Sequence, residues 1–93
     1  MNIKAILYVE ATFKITGRGL VACCKTVWDS GANKVLKLGD TCMLIRKGEI
    51  GIVPFEIRGL EMAHPRRDVE GLLVPSDLVI PEDSHILVLE DEI

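Results

Sequence analysis

Aromatic residues are scarce in this sequence, which contains one Trp, one Tyr and two Phe among 93 residues. A hydrophobic core must therefore consist mainly of aliphatic side chains, and Val, Ile and Leu dominate the periodic stretches. The β-branched residues among them favour strands. The scarcity also leaves few side chains on which the bases of single-stranded RNA could stack.

Cysteines are few and odd in number: Cys23, Cys24 and Cys42. Neighbouring residues of a strand point to opposite faces, so Cys23 and Cys24 are poorly placed to form a disulfide with each other. No C-x-x-C spacing is present, and neither histidine lies at a metal-ligand spacing from a cysteine. We expect two or three of the cysteines to be small buried side chains, rather than parts of a thiol redox or metal site. The opening "MNIKAILYVE" lacks the long apolar run of a signal peptide, which predicts a cytoplasmic location.

Long apolar runs and catalytic motifs are also missing. No stretch approaches the roughly 18 apolar residues of a membrane-spanning helix, so no membrane contact is expected. The G-x-x-x-x-G-K-[ST] phosphate loop is absent. The acidic residues do not pair in sequence with a histidine and a nucleophile in a recognisable catalytic pattern. We therefore expect no enzymatic activity, no catalytic residue and no cofactor.

Basic residues are absent from residues 68–93, which hold eight carboxylates, whereas residues 1–67 hold all 11 Lys and Arg against six acids. The two regions have formal charges of −8 and +5, and the net charge is −3. A folded barrel would bring these segments together and cancel part of the asymmetry. The terminal "EDEI" is the part least affected by such cancellation.

Apolar residues alternate with a period of two through much of the chain, which predicts an all-β domain over residues 1–93. Every odd position from Ile3 to Ile15 is apolar, which predicts one long strand with a buried face and a bend midway. Further strands are predicted at about 20–28 and 41–46, in a fourth segment that ends near residue 62 with a bulge beside Gly59, and at 69–74 and 85–90. Six strands, most of them short, separated by turn signals predict a small antiparallel barrel, closed or nearly closed.

Glycines mark the predicted turns. In "FKITGRGLVA", Gly17 and Gly19 allow the positive φ that reverses the chain between the first two strands, with Arg18 at the tip. Gly39 has the same structural role before the third strand. A functional alternative makes Gly17 to Gly19 a backbone nest that, with Arg18, binds a phosphate. The turn is the commoner role of glycine at such a position.

Four segments in order resemble the second domain of translational GTPases such as elongation factor Tu. They are "FKITGRGLV" at 13–21, "LKLGDTCMLI" at 36–45, "IRGLEM" at 57–62 and "EGLLV" at 70–74. The resemblance implies a stand-alone β-barrel without the GTPase domain. The chain departs from the family pattern at Cys24, where the family usually has glycine, and at "RRDVEG", where it has an Ala-Gly-Asp step.

Binding is the function that these observations predict. Candidate ligand contacts are Arg18, Arg46, Lys47, Arg66 and Arg67. We expect a non-enzymatic binding module, monomeric or weakly dimeric, whose partner is a protein, because the net charge is negative and stacking aromatics are few. Two alternatives stay open. One is an acidic inhibitor of the immunity or antitoxin kind that masks a basic partner. The other is RNA binding through the basic residues, as the related barrel's contact with the end of tRNA implies.

Overall fold

A computed structural model describes residues 2–31, 36–61 and 69–90. These ranges contain strands and turns, and within them no helix is long and apolar enough to cross a membrane. The candidate residues Arg66 and Arg67 and the tail residues 91–93 lie outside the described residues. The strands are β1 (Ile3–Ile15), β2 (Gly19–Asp29), β3 (Thr41–Ile45), β4 (Ile52–Glu56), β5 (Gly59–Glu61), β6 (Val69–Val74) and β7 (His85–Leu89).

All neighbouring strands are antiparallel, and they form one sheet in the order β4-β3-β7-β1-β2-β6-β5. The sheet curves into an open half-barrel, so the predicted all-β, antiparallel fold class is confirmed. Its inner face holds a mainly aliphatic core, as the composition predicts, to which Phe55, Cys24 and Cys42 also belong. The largest fully buried side chains of this core include Leu7, Leu44, Leu72 and Ile86.

The long first strand does not keep one buried face along its whole length. Up to Val9 the odd residues point inward, and Leu7 and Val9 are completely buried. A bulge at Glu10 then shifts the register, since Val9 is opposite Cys24 but Ala11 is opposite Cys23. The odd residues beyond the bulge therefore lie on the outer face, where Phe13 is 47% exposed. The prediction of a single buried face along the strand is wrong beyond Glu10, because one inserted residue exchanges the two faces.

The predicted fourth strand is two strands at opposite edges of the sheet. β4 pairs with β3 at one edge, and β5 pairs with β6 at the other. Only Ile57 and Arg58 separate β4 from β5, and the amides of these two residues form hydrogen bonds with different parts of the sheet. The Ile57 amide donates to the Asp40 carbonyl at 3.0 Å, and the Arg58 amide donates to the Leu73 carbonyl at 2.7 Å. The described part of the chain thus contains seven strands rather than the predicted six.

A buried ion pair ties the first strand to the turn before β3. Lys4 Nζ lies 2.9 Å from Asp40 Oδ2, with the two side chains 8% and 1% exposed. The Lys37 amide donates to the same oxygen at 3.0 Å. Gly39, one residue before the aspartate, has a φ of 90°, and its amide donates to the Ile57 carbonyl at 2.9 Å. The predicted turn at Gly39 therefore positions Asp40 inside the core.

Candidate functional site

The turn between β1 and β2 has the geometry expected from its glycines. Gly17 and Gly19 have φ angles of 80° and 122°, and the Arg18 amide donates to the Ile15 carbonyl at 2.9 Å. Arg18 projects to the surface, where its side chain is 54% exposed and forms an ion pair with Glu61. The Arg18 amide is therefore occupied within the turn, and its guanidinium is the group that faces solvent.

A cleft of about 540 Å³ lies beside this turn, and we call it the turn cleft. Three cationic side chains, Lys14, Arg18 and Arg58, line it together with the hydroxyls of Thr16 and Ser76. Its remaining walls are aliphatic residues and the turn glycines: Ile15, Gly17, Gly19, Leu73, Val74 and Pro75.

The charged residues that line the turn cleft are all positive. None of the residues that line it is acidic or aromatic. Within residues 2–31, 36–61 and 69–90, neither Lys14 nor Arg58 forms an ion pair with a carboxylate. Arg58 was not among the five ligand contacts predicted from the sequence, although it belongs to the basic residues that the RNA-binding alternative would use. Its position next to Gly59 in "IRGLE" carried no sign that β5 would bring it to the β1–β2 turn.

Two further clefts continue from Arg58 along the surface. The first, of about 460 Å³, lies between Arg58 and Arg46 and contains the carboxylates of Glu56 and Asp77. The second, of about 470 Å³, contains Arg46 and Lys47 together with acidic and aromatic side chains. The structure thus places Arg18 in one cleft and the other two described candidates, Arg46 and Lys47, in another.

Arg46 and Lys47 are engaged by neighbouring groups. Arg46 Nε donates to the Val79 carbonyl at 2.9 Å and lies 3.9 Å from Glu49 Oε2. Lys47 Nζ is 3.6 Å from Asp83 Oδ2. Both cations therefore already have partners of opposite charge, unlike Lys14 and Arg58 among the described residues, and they are weaker candidates for an anionic ligand.

Asp83 also accepts a hydrogen bond from the Tyr8 hydroxyl. This bond raises the pKa of Tyr8 and lowers that of Asp83, because it stabilises the protonated phenol beside an ionised carboxylate. The His85 ring packs edge-on against Tyr8 with a centroid separation of 5.5 Å. The adjacent Ser84 hydroxyl is buried and donates to the Pro81 carbonyl at 2.6 Å. Tyr8 is thus kept in its protonated, weakly nucleophilic form, and Ser84 is not among the residues that line the cleft.

The three thiols are buried and free. Cys24 and Cys42 belong to the main core, whereas Cys23 packs with Val21 and Val69 on the other face of the sheet. Burial raises the pKa of all three thiols, and that of Cys42 rises to about 12. Among the described residues no group of three His, Cys, Asp or Glu side chains could hold a metal ion. The thiols therefore act as small apolar side chains at neutral pH.

The outer face of the sheet carries two rows of mainly aliphatic and aromatic side chains, here called the apolar rows, that cross neighbouring strands. Residues directly opposite each other on paired strands share a face. In the first row Trp28 is opposite Ile6, Ile6 is opposite Leu87, and Met43 lies between Leu87 and Pro54. This row crosses the strands β2, β1, β7, β3 and β4.

The second row lies beside the first. Tyr8 is opposite His85, which is opposite Ile45, and Ile45 is opposite Ile52. The exposure of these residues is large for apolar side chains: 37% for Ile45, 58% for Ile52 and, in the first row, 48% for Trp28. Sequence reasoning missed both rows. The available signal was that apolar residues in β1, such as Ile6, also occupy positions between the buried ones.

These rows and clefts have to be interpreted from their own geometry. No family model, curated protein or solved structure matches the chain.

Proposed function

We propose that this protein is a non-enzymatic binding module that binds a partner protein through the two apolar rows of its outer sheet face. The continuity of the first row across five strands carries the proposal. Isolated apolar side chains are normal on a protein surface, but a contiguous exposed patch marks an interaction site. Trp28 and Tyr8 supply the amphipathic aromatic side chains that are enriched in protein interfaces.

A charge at the border of the first row constrains the complementary partner. Glu56 is exposed on the outer face of β4, where it is the next outward-facing residue after Pro54. The partner is therefore an apolar surface with a basic group at this border. Such a charge at the rim sets orientation and association rate more than affinity.

Site-specific photo-cross-linking in the native host tests this function. A photoreactive amino acid at Ile45 should form an adduct of defined mass with one protein. Ile52→Lys places a charge in the same row and should remove the adduct. Leu38→Lys is the matched control, because Leu38 is 68% exposed but belongs to neither row.

Each other outcome of this experiment counts against the proposal. Equal loss of the adduct in both variants would show that the rows have no special role. An adduct of twice the mass of the 10.3 kDa chain would identify a second copy rather than a different protein as the occupant. Failure to form any adduct from Ile45 would also contradict a partner on this face.

We also propose that the sheet is a barrel of the kind found in the second domain of translational GTPases. The link through Ile57 and Arg58 supports this, since it joins the two edge strands with two residues and bonds to both sides of the sheet. If the link closes the barrel, the amides of Ile57 and Arg58 should exchange with deuterium as slowly as those in the middle of β3. Exchange within seconds at neutral pH would contradict closure.

A further inference from the structure

We propose that the turn cleft binds a phosphate monoester attached to an aliphatic carrier. This inference does not depend on the apolar rows, since no residue of either row lines the cleft. It rests on the charge of the cleft, the donors that it presents and the absence of an aromatic wall.

The charge of the turn cleft matches a dianion. Lys14, Arg18 and Arg58 contribute three positive charges, and the Glu61 carboxylate that pairs with Arg18 offsets one of them. A phosphate monoester carries a charge of about −1.5 to −2 at neutral pH. A carboxylate, or a phosphodiester in a nucleic acid backbone, carries one negative charge and would leave part of the cleft charge unmatched.

The donors are side chains rather than a backbone nest. The Arg18 amide is bonded to the Ile15 carbonyl, so it is not available to an anion. Guanidinium groups offer paired donors that fit two phosphate oxygens at once. Thr16 and Ser76 line the same cleft, and a hydroxyl from either could donate to the remaining oxygen. No heavy atom lies within 4 Å of the position that a Cβ of Gly17 would occupy. A ligand can therefore approach the turn at Gly17 without meeting a side chain.

The walls of the cleft select the carrier. Protein sites for bases of single-stranded nucleic acids use aromatic side chains for stacking, and the turn cleft has none. Its apolar walls are aliphatic, from Ile15, Leu73, Val74 and Pro75. A volume of about 540 Å³ accommodates a small organic ligand or one side chain of a peptide. A small polyol phosphate and a phosphoserine side chain both satisfy these conditions.

Amide chemical shifts during titration with inorganic phosphate, glycerol phosphate and a short phosphoserine peptide provide the test. The shifts of Gly17, Gly19 and Arg58 should saturate together with the phosphate probes. Binding should strengthen from pH 5 to pH 7, because the second ionisation of a phosphate monoester has a pKa near 6. A tighter response to the peptide than to glycerol phosphate would identify a protein as the source of the phosphate, and the reverse order would identify a small molecule.

Matched variants separate the cleft from general electrostatics. Arg58→Gln and Lys14→Gln should each weaken phosphate binding about tenfold, the value of one charge-assisted hydrogen bond. Arg46→Gln removes the same kind of charge outside the turn cleft and should change affinity less than about twofold. Circular dichroism and urea midpoints establish that the variants are folded.

Several results would overturn the site. One is equal weakening of phosphate binding by Arg46→Gln and Arg58→Gln. Another is an identical response to sodium acetate at the same ionic strength. A third is a single-stranded RNA that binds more tightly than every monoester and loses affinity in Arg58→Gln. The last result would assign the cleft to nucleic acid. None of these outcomes depends on whether the outer face binds a protein.

Discussion

Removal of Asp40 should be among the most destabilising single changes in the described part of this protein. Its carboxylate is 1% exposed, 2.9 Å from Lys4 Nζ, and also accepts the Lys37 amide. Asp40→Leu leaves the Lys4 ammonium buried without its counter-charge. Breaking a buried pair from one side costs about 3–5 kcal/mol. For 93 residues the total free energy of unfolding should be about 5–14 kcal/mol, so the loss is a large part of it.

The Lys4–Asp40 pair as a whole should contribute much less to the free energy of unfolding than the loss in either single variant suggests. Desolvation of both charges offsets most of their attraction, and replacement of a buried pair by apolar groups is often neutral or stabilising. In addition, Asp40 Oδ1 is buried with no hydrogen-bond partner among the described residues. We therefore expect the double variant Lys4→Met/Asp40→Leu to be more stable than Asp40→Leu alone by several kcal/mol.

Urea unfolding of the wild type, both single variants and the double variant measures these effects as a double-mutant cycle. Asp77→Ala serves as the control, because it removes an exposed carboxylate and should change stability by less than about 0.5 kcal/mol. The loss in Asp40→Leu should persist in 1 M salt, since a buried pair is poorly screened. The reasoning is refuted if Asp40→Leu lowers the free energy of unfolding by less than about 1 kcal/mol. It is also refuted if the decrease in the double variant equals the sum of the decreases in the two single variants.

Two further predictions concern the turn and the thiols. Gly19→Val should destabilise by about 1–3 kcal/mol through backbone strain at its φ of 122°. Arg18→Ala should change the urea midpoint little, and the opposite order of effects would contradict the turn geometry. Cys24 and Cys42 should resist iodoacetamide at pH 8 in the folded protein and react in urea, because burial raises both thiol pKa values. Labelling of either at the same rate in both states would show that these thiols are not buried.

Strand positions could be predicted closely from the sequence, because the period of two and the turn residues are local properties. The first strand was expected at residues 3–15 and a later one at 69–74, and the structure has both at these bounds. The opposite orientation of Cys23 and Cys24 was likewise predictable, since successive side chains of a strand alternate in direction. Charge and the scarcity of aromatics also limited the range of functions from the start.

Which face of each strand is buried depends on how the strand pairs with its neighbours. Alternation assigned all odd residues of β1 to one buried face, but only the register with β2 shows that Glu10 is an inserted residue. For the same reason the sequence could not distinguish one long fourth strand from two strands at opposite edges. A strand is defined by its hydrogen-bonded neighbours, and those are β3 for one half and β6 for the other.

The composition of each candidate site belongs to the tertiary structure alone. Lys4 and Asp40 are 36 positions apart in the chain, and no local pattern indicated that they would meet inside the core. Arg58 joins Lys14 and Arg18 only because β5 pairs with β6 at the end of the sheet near the β1–β2 turn. The apolar rows are likewise assembled from single residues of different strands. Near neighbours in the chain decide which segments are extended and where they turn, whereas the curvature and register of the sheet decide which distant side chains share a surface.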